Sequence, residues 1–420
     1  MTESPARFDT SYEWRAVLLL FLGFGLVGLD RWMIAPLFPS IMRDLKLTYQ
    51  DLGDAVGALA LCWGAFSTLM GNLSDRVGRR RILIPALLAF SCMAGFTGVV
   101  AGASMLIAIR GVMGATEGAF LSTSVALTGE ASHPRRRGLN QGIQLSGFSL
   151  FGLALGPIIA TQLLGVVPSW RWVFFMVSLP GFALAALLYR VIREPPHLRR
   201  CDRRAASSPP TLPWADILRS RNVLLSMVGM LCGMSCIFVL GAFIPNYLVD
   251  YLHVSTVQMG FITSGLGFGG FVGGIVMPAL SDHIGRKVAA VLCFAGAAAL
   301  LFGFVRTGVE PLMLFTLLSG VSFFGSGVLS LLTGPVATEA VPGELASSAI
   351  GIASGAGEIF GGGIGPVLGG YIAQHYGIQN VVTLSLAGLL LGIIASAGLI
   401  ETAPRALAAR AVREGQSIHP

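Results

Sequence analysis

The chain has 420 residues, of which 54% are hydrophobic and only 12% charged. Soluble globular domains carry about 25% charged residues, so an ordinary soluble enzyme, a disordered chain and a free nucleic-acid binder are excluded. The mean hydropathy of +0.75, with 55 glycines and 21 prolines, points instead to a polytopic membrane protein.

Apolar stretches long enough to cross a ~30 Å hydrocarbon core are predicted at 16–38, 51–72, 82–101, 105–127, 140–165, 172–191, 222–248, 257–279, 288–306, 311–333, 347–371 and 380–400. The expected fold is an all-α membrane protein with twelve transmembrane helices in two pseudo-symmetric six-helix bundles. A β-barrel would show alternating segments of about 10 residues instead. The longest polar connection divides the chain into a bundle over 1–192, a linker over 193–221, a second bundle over 222–401 and a tail over 402–420. Both tails and the even-numbered connections hold 22 of the 28 Lys and Arg residues, whereas the other face has Arg43, Lys46, Arg171 and Arg306. The positive-inside rule then places both termini in the cytoplasm, and the expected location is a bacterial inner membrane. The net charge of +7 is therefore an orientation signal, and nucleic acid is not an expected partner. Met1–Arg15 has no A-x-A cleavage pattern, so the first helix reads as an uncleaved start.

The two halves repeat. GNLSDRVGRR (71–80) matches PALSDHIGRK (278–287), which sets Asp75 against Asp282 at an offset of 207. Glu130 corresponds to Glu339, and Pro157 to Pro366, both at 209. A near-constant offset across three motifs indicates duplication of a six-helix unit, and such repeats place a binding site between the halves near the midplane. The doubled loop motif resembles the signature of the major facilitator superfamily, over nearly the whole chain. Asp75, Arg79 and Arg80, with Glu130 as an available partner, and Asp282, Arg286 and Glu339 in the second copy, are candidate gating residues. Ion pairs at the membrane edge can hold one helix packing and release another. The plainer alternative is that these arginines only orient the chain and hold a tight turn.

Ionisable groups inside spans cost about 2.5–3.5 kcal/mol each on insertion scales and are functional candidates by default. There are five: Asp30, Arg31, Arg110, Glu117 and Glu358. At 1.5 Å per residue, Asp30 lies about 21 Å into the first span and Arg110 about 8 Å into the oppositely directed fourth, so they are level. Glu117 is two turns from Arg110 on the same face. Adjacent residues diverge by about 100°, so Asp30 and Arg31 point differently. The alternative to function is a structural ion-pair cluster, but an apolar set would be at least as stable. Arginine suits a carboxylate because its fork gives two parallel hydrogen bonds. A carboxylate in a cavity of changing wetness suits proton coupling. Glu358 has no opposite charge in its own span, which makes it a second proton site or a neutral donor.

Leu29-Asp30-Arg31, with Arg110 and Glu117 in RGVMGATEG (110–118) and PNYL at 245–248, resembles the anion:cation symporter group of the superfamily. The resemblance implies that Arg31 binds a substrate carboxylate and that Asp30 and Glu117 couple protons. This chain departs from the group in having WMIAP after Arg31 and Phe120-Leu121-Ser122 after the helix 4 segment. The first departure suggests a less hydroxylated substrate than a sugar acid.

The expected function is proton-driven symport of a small organic anion by alternating access, with no metal or cofactor and a monomer as the working unit. Tyr247, Asn246, Ser322 and Ser326 are further substrate contacts suggested by position. The rival is a proton-coupled drug or metabolite efflux antiporter, which arginines in the cavity disfavour. A signalling receptor would need a soluble domain larger than the linker or the tail. Two G-x-G-x-x-G matches, at Gly23 and Gly265, follow no strand and read as close helix packing. Cys232 and Cys236 share a helix face without a His or acidic companion and read as packing.

Overall fold

Thr48 and Ser255 lie 207 residues apart, and in the computed structural model each starts a helix in the same way. The Thr48 hydroxyl accepts from the Asp51 amide while Asp51 bonds back to the Thr48 amide, and Ser255 and Gln258 form the same reciprocal pair. These boxes satisfy amides that a helix start leaves without intrahelical partners. The same two helices stop alike, at Gly78 (φ 114°) and Gly285 (φ 99°). That backbone conformation is one only glycine adopts readily. At the start of the first helix Asp9 accepts from the Tyr12 amide, and this bond, foremost, holds its carboxyl below the usual value.

The structure describes residues 9–133, 136–193, 218–341 and 346–403. Among them the helices run end to end as twelve rods. The first half has α1 Thr10–Leu45, α2 Tyr49–Val77, α3 Arg79–Thr97, α4 Ala103–Ala131, α5 137–166 and α6 Trp170–Val191. The second has α7 Arg221–Tyr251, α8 Thr256–Ile284, α9 Arg286–Arg306, α10 Pro311–Glu339, α11 346–376 and α12 Val381–Ala397. Ten are long and apolar enough to cross a membrane; α2 and α11 stand outside that set. Several rods run past their apolar windows. α1 begins early enough to include Glu13, and α4 continues to Ala131.

The packing repeats as the sequence does. In the first half α2 lies along α4, α3 against α4 and α6, and α1 against α5; α8 lies along α10, α9 against α10 and α12, and α7 against α11 in the second. The halves meet through α2 with α11 and through α5 with α8, pairs that exchange under the same two-fold. Both α5 and α11 loosen into π-helical turns, at Phe148–Leu155 and Gly357–Ile364, again 209 residues apart. Pro157 and Pro366 follow directly. A proline lacks the amide hydrogen and crowds the carbonyl four residues back, and a π turn accommodates that mismatch inside a continuous helix.

Glycine sets the distance between the halves. A Cβ on Gly267 of α8 would run into the Ala154 backbone of α5, and one on Gly57 of α2 would stand 2.7 Å from the Gly363 carbonyl oxygen of α11. These contacts, with Gly53 against Pro366 and Gly260 against Pro157, lie between the middle of the bundle and its distal end. That end carries the α1–α2, α7–α8 and α11–α12 connections and is opposite the chain ends. Gly267→Val should cost on the order of 1–3 kcal/mol by overpacking, read as a lower melting temperature of the solubilised protein. An unchanged melting temperature would show that α5 and α8 do not touch in solution.

Candidate functional site

α1 bends where its sequence requires it. Pro36 has no amide hydrogen to give the Trp32 carbonyl, and the helix is interrupted at Met33. Carbonyls at the end of the first segment then need other donors. Arg110 of α4 supplies them: its Nη1 lies 3.2 Å from the Asp30 carbonyl oxygen and 3.0 Å from that of Arg31. The guanidinium is 1% exposed and enclosed within the first half. The sequence reading makes Arg110 a substrate contact; in the structure its Nη1 serves the backbone of the bent helix, and its Nε and Nη2 have no hydrogen-bond partner among the described residues.

Arg31, one residue beyond Asp30, turns the other way, toward the second half. Its Nη2 donates to Oε2 of Glu358 on α11 at 3.4 Å. The guanidinium carbon lies 4.4 Å from the ring centre of Trp63 on α2, 4.6 Å from Phe238 on α7 and 5.8 Å from Phe148 on α5. Arg31 is thus reached from four other helices, two in each half, and is 3% exposed. Cation–π contacts contribute about 2 kcal/mol or more when desolvated, which helps offset burial of the charge. Its Nε and Nη1 have no hydrogen-bond partner among the described residues. Phe148 and Glu358 both sit in the first two positions of the π-helical turns.

Behind Arg31, on the side of the first half, lie Asp30 and Glu117. Both are buried; Glu117 is within electrostatic reach of both arginines, and Asp30 of Glu117 and Arg110. Neither oxygen of Glu117 has a hydrogen-bond partner among the described residues, nor has Oδ1 of Asp30. A buried charge without a partner is costly, and the described scaffold offers these oxygens no hydrogen-bond donor.

The remaining sequence candidates fall elsewhere. Asn246 donates to Asp250 at 2.9 Å, and Tyr49 of α2 donates to the same oxygen at 3.0 Å. Asn246 is about 12 Å along α7 from Phe238, at the distal end. Tyr247 packs against Tyr251 and Phe304. Ser322 donates to the Leu266 carbonyl, and Ser326 faces Gly270, so both serines join α10 to α8. These four residues are not brought to Arg31: in an apolar helix, chain position alone does not say which face is turned inward.

At the end carrying the chain termini, Arg79 pairs with Glu130 at 3.0 Å and donates to the Ser74 hydroxyl at 2.7 Å. Arg286 pairs with Glu339 at 2.8 Å, with Asp282 at 2.6 Å, and donates to Ser281. The two clusters are copies, and each lies within its own half. Arg80 stacks on Tyr189 at 4.2 Å and donates to its carbonyl. The side chain of Asp75 lies outside the described residues, as do linker residues 194–217 and tail residues 404–420.

Sequence reasoning missed three sets of groups. The aromatic collar of Trp63, Phe148 and Phe238 carries no signal in a chain this rich in apolar residues. Glu13 accepts from the His133 amide at 2.9 Å and from Asn140 at 2.8 Å, and pairs with Arg136. It ties the start of α1 to the α4–α5 connection. Glu401 accepts from the Arg286 amide at 2.7 Å, capping α9. Charged residues just outside an apolar window were the available signal for Glu13 and Glu401.

Two related helical halves, spanning a membrane and closing around a buried charged centre, define a solute carrier. A family model of the Major Facilitator Superfamily matches residues 20–360 and 238–418, and the chain belongs to that family. It is a transporter and not an enzyme. It is 27% identical over 391 residues to the hexuronate transporter of Bacillus subtilis (strain 168), covering 89% of this chain and 91% of that one. It is 28% identical over 376 residues to a probable 4-methylmuconolactone transporter of Cupriavidus pinatubonensis, covering 86% and 84%. Its fold matches the crystal structure of a bacterial homolog of the human lysosomal transporter Spinster, in an inward-facing and occupied conformation. The TM-score is 0.76 at 17% identity, covering 98% of this chain and all of that one.

The Tyr49–Asp250–Asn246 cluster joins the halves at the distal end, so Asp250→Ala removes two hydrogen bonds at once. Spin labels at Lys46 and Val257 should then show a larger population at long distance. An unchanged distance distribution would show that the cluster does not hold the two halves together.

Proposed function

We propose that this protein is a proton-coupled symporter of a small organic anion. Arg31 carries the reading: it is a buried guanidinium at the meeting of the halves, with two donor groups unpartnered. Such a fork suits a carboxylate, to which it offers parallel hydrogen bonds in a low-dielectric setting. The named activities of the hexuronate and 4-methylmuconolactone relatives support transport of an organic acid.

Asp30 and Glu117 are the proton carriers in this scheme. With both ionised they compensate Arg31 and Arg110, leaving no net attraction for an incoming anion. Protonation exposes the positive charge, the anion binds, and the neutralised centre then permits the halves to rock. The two six-helix bodies, 1–192 and 222–401, move as units about the α2–α11 and α5–α8 seams. The 193–221 connection joins them, and both termini are cytoplasmic in a bacterial inner membrane. The Arg79–Glu130 and Arg286–Glu339 clusters are the gates, holding the inner ends of α2–α4 and α8–α10 in one packing. The protein works as a monomer, driven by the proton gradient without a cofactor.

Arg31→Ala should weaken binding of the transported carboxylate by about 2 kcal/mol or more, at least ~30-fold in Kd. Wild-type affinity in that variant would refute the anion site. Glu117→Gln should abolish proton-driven accumulation in proteoliposomes while sparing counterflow exchange. Accumulation at the wild-type level would reject Glu117 as a carrier.

A further inference from the structure

Glu358 belongs to the second half, and the scheme above does not need it. Yet among the described residues it is the side chain that makes an ion pair with Arg31. It projects from a π-helical turn whose neighbours Gly357, Gly361, Gly362 and Gly363 are glycines packed tightly on α7 and α2. A helix distorted at that point, with small residues on the flanks, holds the carboxylate at the seam. Trp63 and Phe238 flank the guanidinium, so a ligand reaches Arg31 along its N–H edges, where Glu358 already stands. An incoming anion would therefore meet a cation that is neutralised from the opposite half. One guanidinium cannot compensate two carboxylates in a dry site.

We propose that Glu358 is an internal stand-in for the substrate carboxylate. It holds Arg31 in the absence of substrate and gives it up, by taking a proton from the water of the open face, when substrate docks. The proton ends on a Glu358 carboxyl oxygen; no other bond is made or broken. The substrate and the Glu358 anion are thus alternatives on one guanidinium, and each substrate bound carries one proton on α11. This proposal rests on Arg31 being the carboxylate site. The other charged groups around the pair are Asp30 on α1 and Arg110 and Glu117 on α4. α2 presents Leu61, Trp63 and Gly64, α5 presents Phe148, and α7 presents Met230, Met234 and Phe238, none of which titrates.

The test uses the purified full chain with benzoate and D-glucuronate as probe carboxylates, titrated to saturation between pH 5.5 and 8.5. One proton taken up with the ligand makes affinity fall up to about tenfold per pH unit as pH rises. Wild type should show this fall. Glu358→Gln should bind the probes more tightly than wild type at pH 8 and should take up one proton fewer. Glu358→Asp, which keeps the carboxyl but shortens its reach, should also bind more tightly at pH 8 while retaining a pH dependence. If Arg31→Ala abolishes binding but Glu358→Gln keeps the wild-type pH slope and proton uptake, the stand-in role is overturned and the carboxylate site survives. If wild type binds neither probe at any pH, or binds them with a flat profile, the proposal falls. Full binding by Arg31→Ala overturns the underlying site as well.

Discussion

A guanidinium deep within a ~30 Å hydrocarbon slab has to be stabilised from all around, and Arg31 imposes that demand on the rest of the molecule. Hydration is replaced by three aromatic rings and one carboxylate, delivered by α2, α5, α7 and α11. No single half supplies the whole set. Charge compensation therefore draws the halves together where transport requires a shared centre. Arg110 meets the same demand differently, through carbonyls that the bend at Met33 makes available.

Duplication gives matched scaffolds and an unmatched centre. Capping boxes, left-handed glycines, serine–arginine–glutamate clusters and π-helical turns all recur at offsets of 207 to 209 residues. These features fix where helices start, stop and cross. The side chains of the centre do not recur: the first half brings Asp30, Arg31, Trp63, Arg110, Glu117 and Phe148, and the second brings Phe238 and Glu358. Two similar frames can rock symmetrically around a centre that has four of its five charges and two of its three rings on the side of the first half.

The fold was legible in the sequence because its determinants are one-dimensional. Span length, basic loops and a repeated motif need no knowledge of which way a side chain points. The identity of the charged centre was legible for the same reason, since an ionisable residue in an apolar run is conspicuous. Direction was not legible. A membrane helix faces lipid on one side and packed helices on the other, and both are apolar, so periodicity does not mark the inward face. Hence Asn246, Tyr247, Ser322 and Ser326 read as cavity residues although the distal cluster and the α8–α10 contact claim them. The collar of Trp63, Phe148 and Phe238 was hidden among the 25 phenylalanines and 6 tryptophans.

The seams at Gly53, Gly57, Gly260 and Gly267 have a consequence beyond close packing. At Gly53 and Gly267 main chain lies against main chain, whereas Gly57 also meets the Val367 side chain and Gly260 the Thr161 hydroxyl. A file of water molecules needs a lumen, and protons hop along such files. Where two backbones touch, as at Gly53 and Gly267, no lumen remains. Those two contacts are therefore electrical insulators as much as mechanical stops. A methyl group added at these positions would prop the seam open, and the first thing admitted through the gap would be the smallest ion rather than the solute.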